Sequence, residues 1–189
     1  CFTDGMTLKA MPAVQDHKRA YEGDEGPNTG GMGSYSAADH LLPFLPPQVL
    51  EQAEVICQAI VDALRREGCP YVGAFYGQFM HTPRGPVVIE INARFGDPEA
   101  MNVLPLLKTS YVDVLKAMVT GNLKEVELEF APKATVCKYI VPKGYGVSSL
   151  ADVPLGINEE VVTDSGAKMF YASVNEREGT IYTTSSRSV

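Results

Sequence analysis

The sequence predicts an α+β fold in which antiparallel strand pairs and helices occupy residues 1–124, followed by a small β-rich subdomain over residues 125–189. Three observations predict this fold: apolar strand pairs separated by turn residues, stretches with helical apolar periodicity, and a change after Lys124 to short strands at short intervals. The predicted strands of the subdomain are residues 134–141, 160–163, 168–174 and 180–184.

The first predicted element is a β-hairpin over residues 1–15, in which Thr3, Asp4 and Gly5 supply the turn. Residues 16–47 then lose all periodicity and are rich in charged residues, Gly and Pro. Long segments of this kind are uncommon in compact domains and are usually functional or disordered. The sequence therefore predicts a long loop over residues 16–47.

An amphipathic helix is predicted from Pro47 to Arg66, because Pro is favoured at a helix start and Gly68 stands just past the end. Apolar residues recur along this segment at the spacing that places them on one face of a helix. They are Leu50, Ala53, Ile56, Ile60, Val61 and Leu64.

A second hairpin is predicted from strands at residues 72–81 and 87–92. The residues that join them, Thr82–Pro86, contain both Gly and Pro, which are strong turn formers. Helical periodicity returns at residues 98–107 and 110–120. The hairpin and these helices complete the predicted first part of the chain.

Net charge and cysteine content bound the class of protein. The 189 residues carry a net charge of -7 with a pI near 5.0, which argues against nucleic-acid or anionic-membrane partners, since both favour clustered Lys and Arg. No run approaches the roughly 18 apolar residues of a membrane span. The cysteines have no metal-ligand spacing and are interpreted as reduced thiols, which predicts a cytoplasmic protein. They are Cys1, Cys57, Cys69 and Cys137.

The segment from Val87 to Arg94 carries the sharpest local signal. Side chains alternate between the two faces of a strand, so Glu90, Asn92 and Arg94 are predicted on one face. The opposite, core-facing set is predicted to be Val87, Ile89 and Ile91. Glu90 and Asn92 would be a sufficient protein share of a Mg²⁺ site, because one or two protein oxygens suffice when substrate phosphates complete the coordination shell. The alternative to a metal site is an ordinary surface strand with a polar outer face.

Asp97 follows in a Gly-containing turn that leads into the helix predicted at residue 98. Its carboxylate has two possible roles: it caps the helix, or it binds the ammonium group of an amino-acid substrate. The sequence favours neither role over the other.

Residues Gly26–Gly33 hold four glycines in eight positions, which gives their backbone N–H groups the freedom to converge on an anion. The segment matches neither the Walker pattern nor the dinucleotide fingerprint. Ahead of it, residues 16–19 read Asp-His-Lys-Arg and add two permanent cations and one titratable ring. Taken singly, each feature is more often a solvated surface cluster than a binding site.

Three segments in this order resemble phosphoribosylamine–glycine ligases of the ATP-grasp superfamily. They are Gln15–Arg19, Gly26–Gly33 and Glu90–Glu99. The resemblance extends over essentially the whole chain and is strongest over residues 1–120, with a further match at Tyr139–Gly146. It implies that residues 1–124 are the second half of an ATP-grasp domain and that residues 125–189 are an incomplete C-terminal β subdomain.

The resemblance also implies an activity: ATP-dependent ligation of glycine to 5-phosphoribosylamine through a glycyl phosphate, giving glycinamide ribonucleotide, ADP and phosphate. It implies that Glu90 and Asn92 bind the Mg²⁺ or Mn²⁺ that bridges the ATP phosphates, and that Arg94 stabilises the transferring phosphoryl group. The residues implied at the glycine and phosphoribosylamine pockets are Asp16, His17, Lys18, Asn28, Thr29, Gly30, Gly31 and Asp97.

Two departures from the family pattern stand out. Many ATP-grasp enzymes place a second carboxylate on the strand beside the metal-binding strand, but residues 71–81 contain no Asp or Glu, so Gln78 or a water is expected in its place. The family's N-terminal domain and nucleotide-binding lysines are expected in residues of the same polypeptide that precede Cys1. The remaining alternatives are another ATP-grasp ligase and a non-catalytic module with this fold.

Overall fold

The computed structural model describes all residues from 1 to 189 and confirms the predicted α+β class. The helices are α1 (Pro47–Arg66), α2 (Glu99–Val103), α3 (Tyr111–Thr120) and α4 (Glu159–Asp164), with 3-10 turns at Leu104–Leu106 and Leu123–Glu125. The strands are β1 (Phe2–Asp4), β2 (Leu8–Lys9), β3 (Gln15–Tyr21), β4 (Glu25–Ser36), β5 (Val72–Ala74), β6 (Tyr76–Thr82), β7 (Gly85–Asn92), β8 (Thr135–Lys138), β9 (Val174–Arg177) and β10 (Thr180–Thr183).

The strands form four small sheets. Their orders are β2-β1-β5, β3-β4-β8, β6-β7 and β10-β9. The pairs β1–β2, β1–β5, β6–β7 and β9–β10 are antiparallel. None of the helices combines the length and the apolar character that a membrane span requires.

The chain divides into two compact units. The first unit consists of residues 1–16 and 34–137, and the second consists of residues 17–33 and 138–189. Two hydrophobic clusters form the core of the first unit. One lies between β1 and α3 and buries Phe2, Val114, Met118 and Leu123. The other lies under α1 and buries Cys57, Val61 and Phe75. The predicted domain boundary between residues 124 and 125 stays a prediction.

Both long helices lie where apolar periodicity predicts them. α1 has its Pro at the first helical position and buries Ala53, Cys57 and Val61, which are spaced four residues apart on one face. α3 is capped by Ser110 and ends at Gly121, which adopts a left-handed φ of 70°. Local spacing and end signals were sufficient for these two elements.

Four sequence predictions about secondary structure were wrong. The loop predicted at residues 16–47 is wrong up to Ser36, because β3 and β4 occupy most of that segment, whereas residues 37–46 contain neither helix nor strand. The backbone pairing of β3 and β4 leaves no side-chain pattern in the sequence. The strand predicted at 160–163 is helix α4, whose first turn is capped by Asn158. The strand predicted at 168–174 begins only at Val174. The helix predicted at 98–107 ends at Val103 and continues as a 3-10 turn.

The four cysteines are free, as predicted. Cys57 lies on the buried face of α1, and this desolvation raises the pKa of its thiol to about 11. Because the thiolate is the nucleophile, Cys57 is an inert core residue at neutral pH.

A fully buried side chain, Asn102, ties three segments of the first unit together. Its amide nitrogen donates to the carbonyl oxygen of Ser34 at 3.3 Å and to the Thr135 hydroxyl at 3.1 Å. Its amide oxygen accepts from the Ser34 hydroxyl. Replacing this side chain would leave these buried groups without partners.

We expect Asn102→Ala to lower the free energy of unfolding by about 2–4 kcal/mol, because each buried polar group left unpaired costs about 1–3 kcal/mol. Urea unfolding measures this loss. The control is Asn122→Ala, which removes an exposed side-chain hydrogen bond to Thr120 in the same unit. Surface changes of this kind stay within about 0.5 kcal/mol. Equal effects of the two variants would contradict a special role for Asn102.

Candidate active site

The candidate site is built on the β6–β7 hairpin of the first unit. The turn places Gly85 at a φ of 100°, and the Thr82 hydroxyl donates to the Gly85 carbonyl oxygen at 2.8 Å. The strand predicted at 72–81 is divided at Phe75, because β5 pairs with β1 whereas β6 pairs with β7. The predicted hairpin itself is confirmed.

A β-bulge in this hairpin changes which side chains face the core. Phe79 pairs with Val88, but the neighbouring Gln78 pairs with Glu90, so Ile89 is an extra residue on β7. An extra residue reverses the alternation of faces on one side of the bulge. Val88 and Glu90 therefore lie on opposite faces, although they are two positions apart.

The predicted core face of Val87, Ile89 and Ile91 is wrong for two of the three residues. Val87 is 44% exposed and Ile89 is 55% exposed. Ile91 alone packs against the cluster beneath α1. The bulge explains the difference, because it gives Val88 the face that strict alternation assigns to Val87 and Ile89.

Beyond the bulge the alternation is regular, and Glu90 and Asn92 lie side by side as predicted. The Asn92 amide nitrogen donates to Glu90 Oε1 at 3.0 Å. On the facing strand, Gln78 stands opposite Glu90, and Tyr76 stands opposite Asn92. The role of Glu90 and Asn92 as metal ligands stays a prediction.

Asp16 lies beside the same hairpin, because Gln78 Nε2 donates to Asp16 Oδ2 at 3.3 Å. No three Asp, Glu, His or Cys side chains in the chain converge closely enough to hold a metal ion on their own. A metal at this face would therefore take amide as well as carboxylate oxygens. The donor set of Glu90, Asn92 and Gln78 fits Mg²⁺ or Mn²⁺, which prefer hard oxygen ligands and keep positions for substrate phosphates.

Arg94 and Asp97 lie in the segment that follows β7, which ends at Asn92. Arg94 is exposed, and its Nη1 donates to the carbonyl oxygen of Phe95 at 2.8 Å, so its position depends on the loop rather than on strand alternation. Asp97 is exposed and is not the N-cap residue of α2, because Pro98 occupies that position. The capping alternative for Asp97 was therefore wrong.

Two residues that the sequence did not single out, Tyr76 and Glu99, meet beside this loop. The Tyr76 hydroxyl donates to Glu99 Oε1 at 2.7 Å, and Glu99 is only 7% exposed. Burial raises the pKa of Tyr76, and the hydrogen bond and negative charge of Glu99 raise it further. The even spacing of Tyr76 and Gln78 on β6 is a weak signal for a shared face, but nothing local indicates the Glu99 contact.

The other residues predicted to bind substrate belong to the second unit. They are His17, Lys18, Asn28, Thr29, Gly30 and Gly31. The Thr29 hydroxyl donates to the Lys18 carbonyl oxygen at 2.8 Å and accepts from the Gly31 backbone N–H at 3.1 Å. The predicted Gly-rich loop is thus the extended strand β4.

Arg187, also in the second unit, was missed from the sequence. Its Nη1 donates to the carbonyl oxygens of Gly30 and Gly31, each at 3.1 Å. Its guanidinium carbon lies 4.6 Å from the centre of the Tyr139 ring. A cation therefore restrains the glycine backbone through its carbonyl groups.

Residues 1–100 match the family model for the phosphoribosylglycinamide synthetase ATP-grasp (A) domain, and the chain belongs to this family. It is 52% identical over 187 residues to a phosphoribosylamine–glycine ligase of Methanococcus maripaludis, covering 99% of this chain and 42% of that relative. It is 56% identical over 189 residues to the ligase of the same name from Methanococcoides burtonii, covering 100% of this chain and 43% of the relative.

A solved structure supports the same assignment. The crystal structure of a phosphoribosylamine–glycine ligase from Thermotoga maritima matches with a TM-score of 0.79 and 27% sequence identity, covering 97% of this chain and 44% of that chain. The predicted resemblance and fold class are confirmed. The chain spans about two fifths of the length of the relatives that it matches.

Proposed function

We propose that this chain is part of an ATP-dependent ligase of purine biosynthesis that joins glycine to 5-phosphoribosylamine. The observation that carries the proposal is the pairing of Glu90 and Asn92 on β7, with Gln78 opposite Glu90, in a chain of this family. The names of the relatives support the choice of reaction. The free cysteines support a cytoplasmic location.

In the proposed reaction, a carboxylate oxygen of glycine attacks the γ-phosphorus of ATP, and ADP leaves. The amine of phosphoribosylamine then attacks the acyl carbon of glycyl phosphate, and inorganic phosphate leaves. The C–N bond forms as the amine loses a proton. Catalysis of such a phosphoryl transfer depends on positioning and on neutralising negative charge.

Glu90 would hold Mg²⁺ or Mn²⁺ through its carboxylate, and Asn92 and Gln78 through their amide oxygens. A divalent ion bound there supplies positive charge to the ATP phosphates. In this structure the Asn92 amide nitrogen faces Glu90 Oε1, so metal binding would require the Asn92 amide to turn its oxygen toward the ion.

Arg94 would place its guanidinium on the transferring phosphoryl group, whose oxygens match the planar donor fork. Asp97, in the same loop, would bind the ammonium group of glycine. The other residues proposed at the glycine and phosphoribosylamine pockets are Asp16, His17, Lys18, Asn28, Thr29, Gly30 and Gly31.

The test is ADP release by the full-length protein with ATP, Mg²⁺, glycine and phosphoribosylamine, each omitted in turn. We expect turnover only when both glycine and phosphoribosylamine are present. Turnover with another carboxylate or amine instead would indicate a different ATP-grasp ligase. Absence of ATP-dependent turnover in every mixture would indicate a non-catalytic module.

The 189-residue chain by itself is expected to be inactive in the same assay, because it spans only about two fifths of its relatives and positioning of ATP, metal and acceptor requires a complete site. Activity that returns when the remaining portion of the protein is added in trans would support this explanation. Glycine-dependent turnover by the chain alone would contradict it.

A further inference from the structure

We propose that Tyr76 and Glu99 are positioning residues. They hold the loop that carries Arg94 and Asp97 against strand β6, which pairs with β7 and places Tyr76 opposite Asn92. The proposal rests on the function proposed above, because it assigns Asn92 and Arg94 to metal and phosphoryl binding. It concerns residues of the first unit alone.

The hydrogen bond between Tyr76 and Glu99 connects the loop to the β6–β7 hairpin. Tyr76 is the register partner of Asn92, so the two side chains project from the same face of the hairpin. Glu99 stands in the first turn of α2, directly after the loop. Their 2.7 Å hydrogen bond therefore joins the end of that loop to the strand beside the candidate metal ligand.

The loop also packs against the Glu99 carboxylate at Gly96. A Cβ atom added at Gly96 would lie 2.5 Å from Glu99 Oε2 and 2.9 Å from Glu99 Cδ. The backbone N–H of Ala100 also donates to the Gly96 carbonyl oxygen at 3.0 Å. The first turn of α2 therefore contacts the loop closely at Gly96, where a larger residue would displace the Glu99 carboxylate.

The burial of Glu99 carries an energetic cost that packing alone does not explain. Glu99 Oε2 is buried and has no hydrogen-bond partner. A buried polar atom without a partner usually lowers stability. A pair with this cost is explained if it orients neighbouring functional groups.

The test compares Tyr76→Phe with Tyr71→Phe in the full-length protein. Tyr71 is a matched control, because its hydroxyl also makes a 2.7 Å hydrogen bond, to the carbonyl oxygen of Ala74 in β5 rather than to a group of the candidate site. We expect Tyr76→Phe to lower kcat by about tenfold or more and to raise the Mg²⁺ concentration needed for half-maximal activity by about tenfold or more. Residues that orient metal ligands typically contribute about 10- to 100-fold to metal affinity or activity.

Melting temperatures separate this role from a structural one. We expect Tyr76→Phe to lower the melting temperature somewhat more than Tyr71→Phe, because it leaves the buried Glu99 carboxylate without a partner. Only Tyr76→Phe should change kcat and metal dependence. Equal kinetic effects of the two variants, or a loss by Tyr76→Phe that follows its stability alone, would overturn the proposal.

Gly96→Ala provides a second, independent variant. It should displace the Glu99 carboxylate and reproduce the effect of Tyr76→Phe, and the double variant should be no worse than the more severe single one, because both break the same connection. Additive effects would overturn the proposal.

Calorimetric titration with Mn²⁺ and ADP provides a readout that does not depend on ligase activity. Weaker binding by Tyr76→Phe than by Tyr71→Phe is expected, and unchanged binding would count against the positioning role. If the wild-type protein binds Mn²⁺ and ADP but does not ligate glycine, the proposed function fails while the positioning role is still tested.

Discussion

Glu90→Gln is expected to lower the turnover of the full-length protein by at least about 10²- to 10³-fold, the loss typical of removing one group that stabilises transition-state charge. The amide keeps the shape of the side chain but loses the negative charge that a divalent ion requires. Glu90 is exposed, so its replacement should leave the melting temperature nearly unchanged. Turnover at saturating ATP, measured over a range of Mg²⁺ concentrations, gives the result.

The matched control is Glu176→Gln, which makes the same change at an exposed position of strand β9. This variant should keep full turnover and full stability. If Glu90→Gln loses turnover and melting temperature in equal proportion, Glu90 is a structural residue and the metal assignment is wrong.

Arg94→Lys is the second variant with a large expected effect, a loss of turnover of about 10²- to 10³-fold. Lysine keeps the positive charge but replaces the planar donor fork with a single ammonium group, which cannot bind phosphoryl oxygens in a bidentate way. The Arg94 side chain is exposed and donates to the neighbouring Phe95 carbonyl group, so its replacement should have little effect on folding. The readout is kcat at saturating substrates.

Arg84→Lys serves as the control for this change, because Arg84 is an exposed residue in the turn of the same hairpin. It should retain wild-type turnover. An Arg94→Lys variant within a few-fold of wild type would show that the guanidinium is not needed at the transferring group.

Local sequence patterns predicted the helices and strand faces that are determined by residues close together in the sequence. The apolar spacing of residues 47–66 predicted α1, because residues three and four apart meet on one helix face, and Pro47 and Gly68 marked its two ends. The two-residue alternation similarly predicted that Glu90 and Asn92 stand together, and the structure joins them by a hydrogen bond.

Apolar spacing and alternation did not predict the strands that are stabilised mainly by backbone pairing. β3 and β4 were interpreted as loop, because their Gly-rich and charged sequence has no alternation, yet their backbone groups pair in a sheet. The bulge at Ile89 was also unpredictable from β7 alone, because it is defined by the register with β6.

The sequence by itself determined the family, the α+β class, the main helices and the adjacency of the two metal-ligand candidates, because these depend on residue types and on short spacings. Only the tertiary structure decided which face of β7 is buried and which partners reach its polar face. Glu99 meets Tyr76 across 23 positions of sequence, and Asp16 meets Gln78 across 62. Such contacts depend on how the chain packs, since no helical or strand period connects residues so far apart.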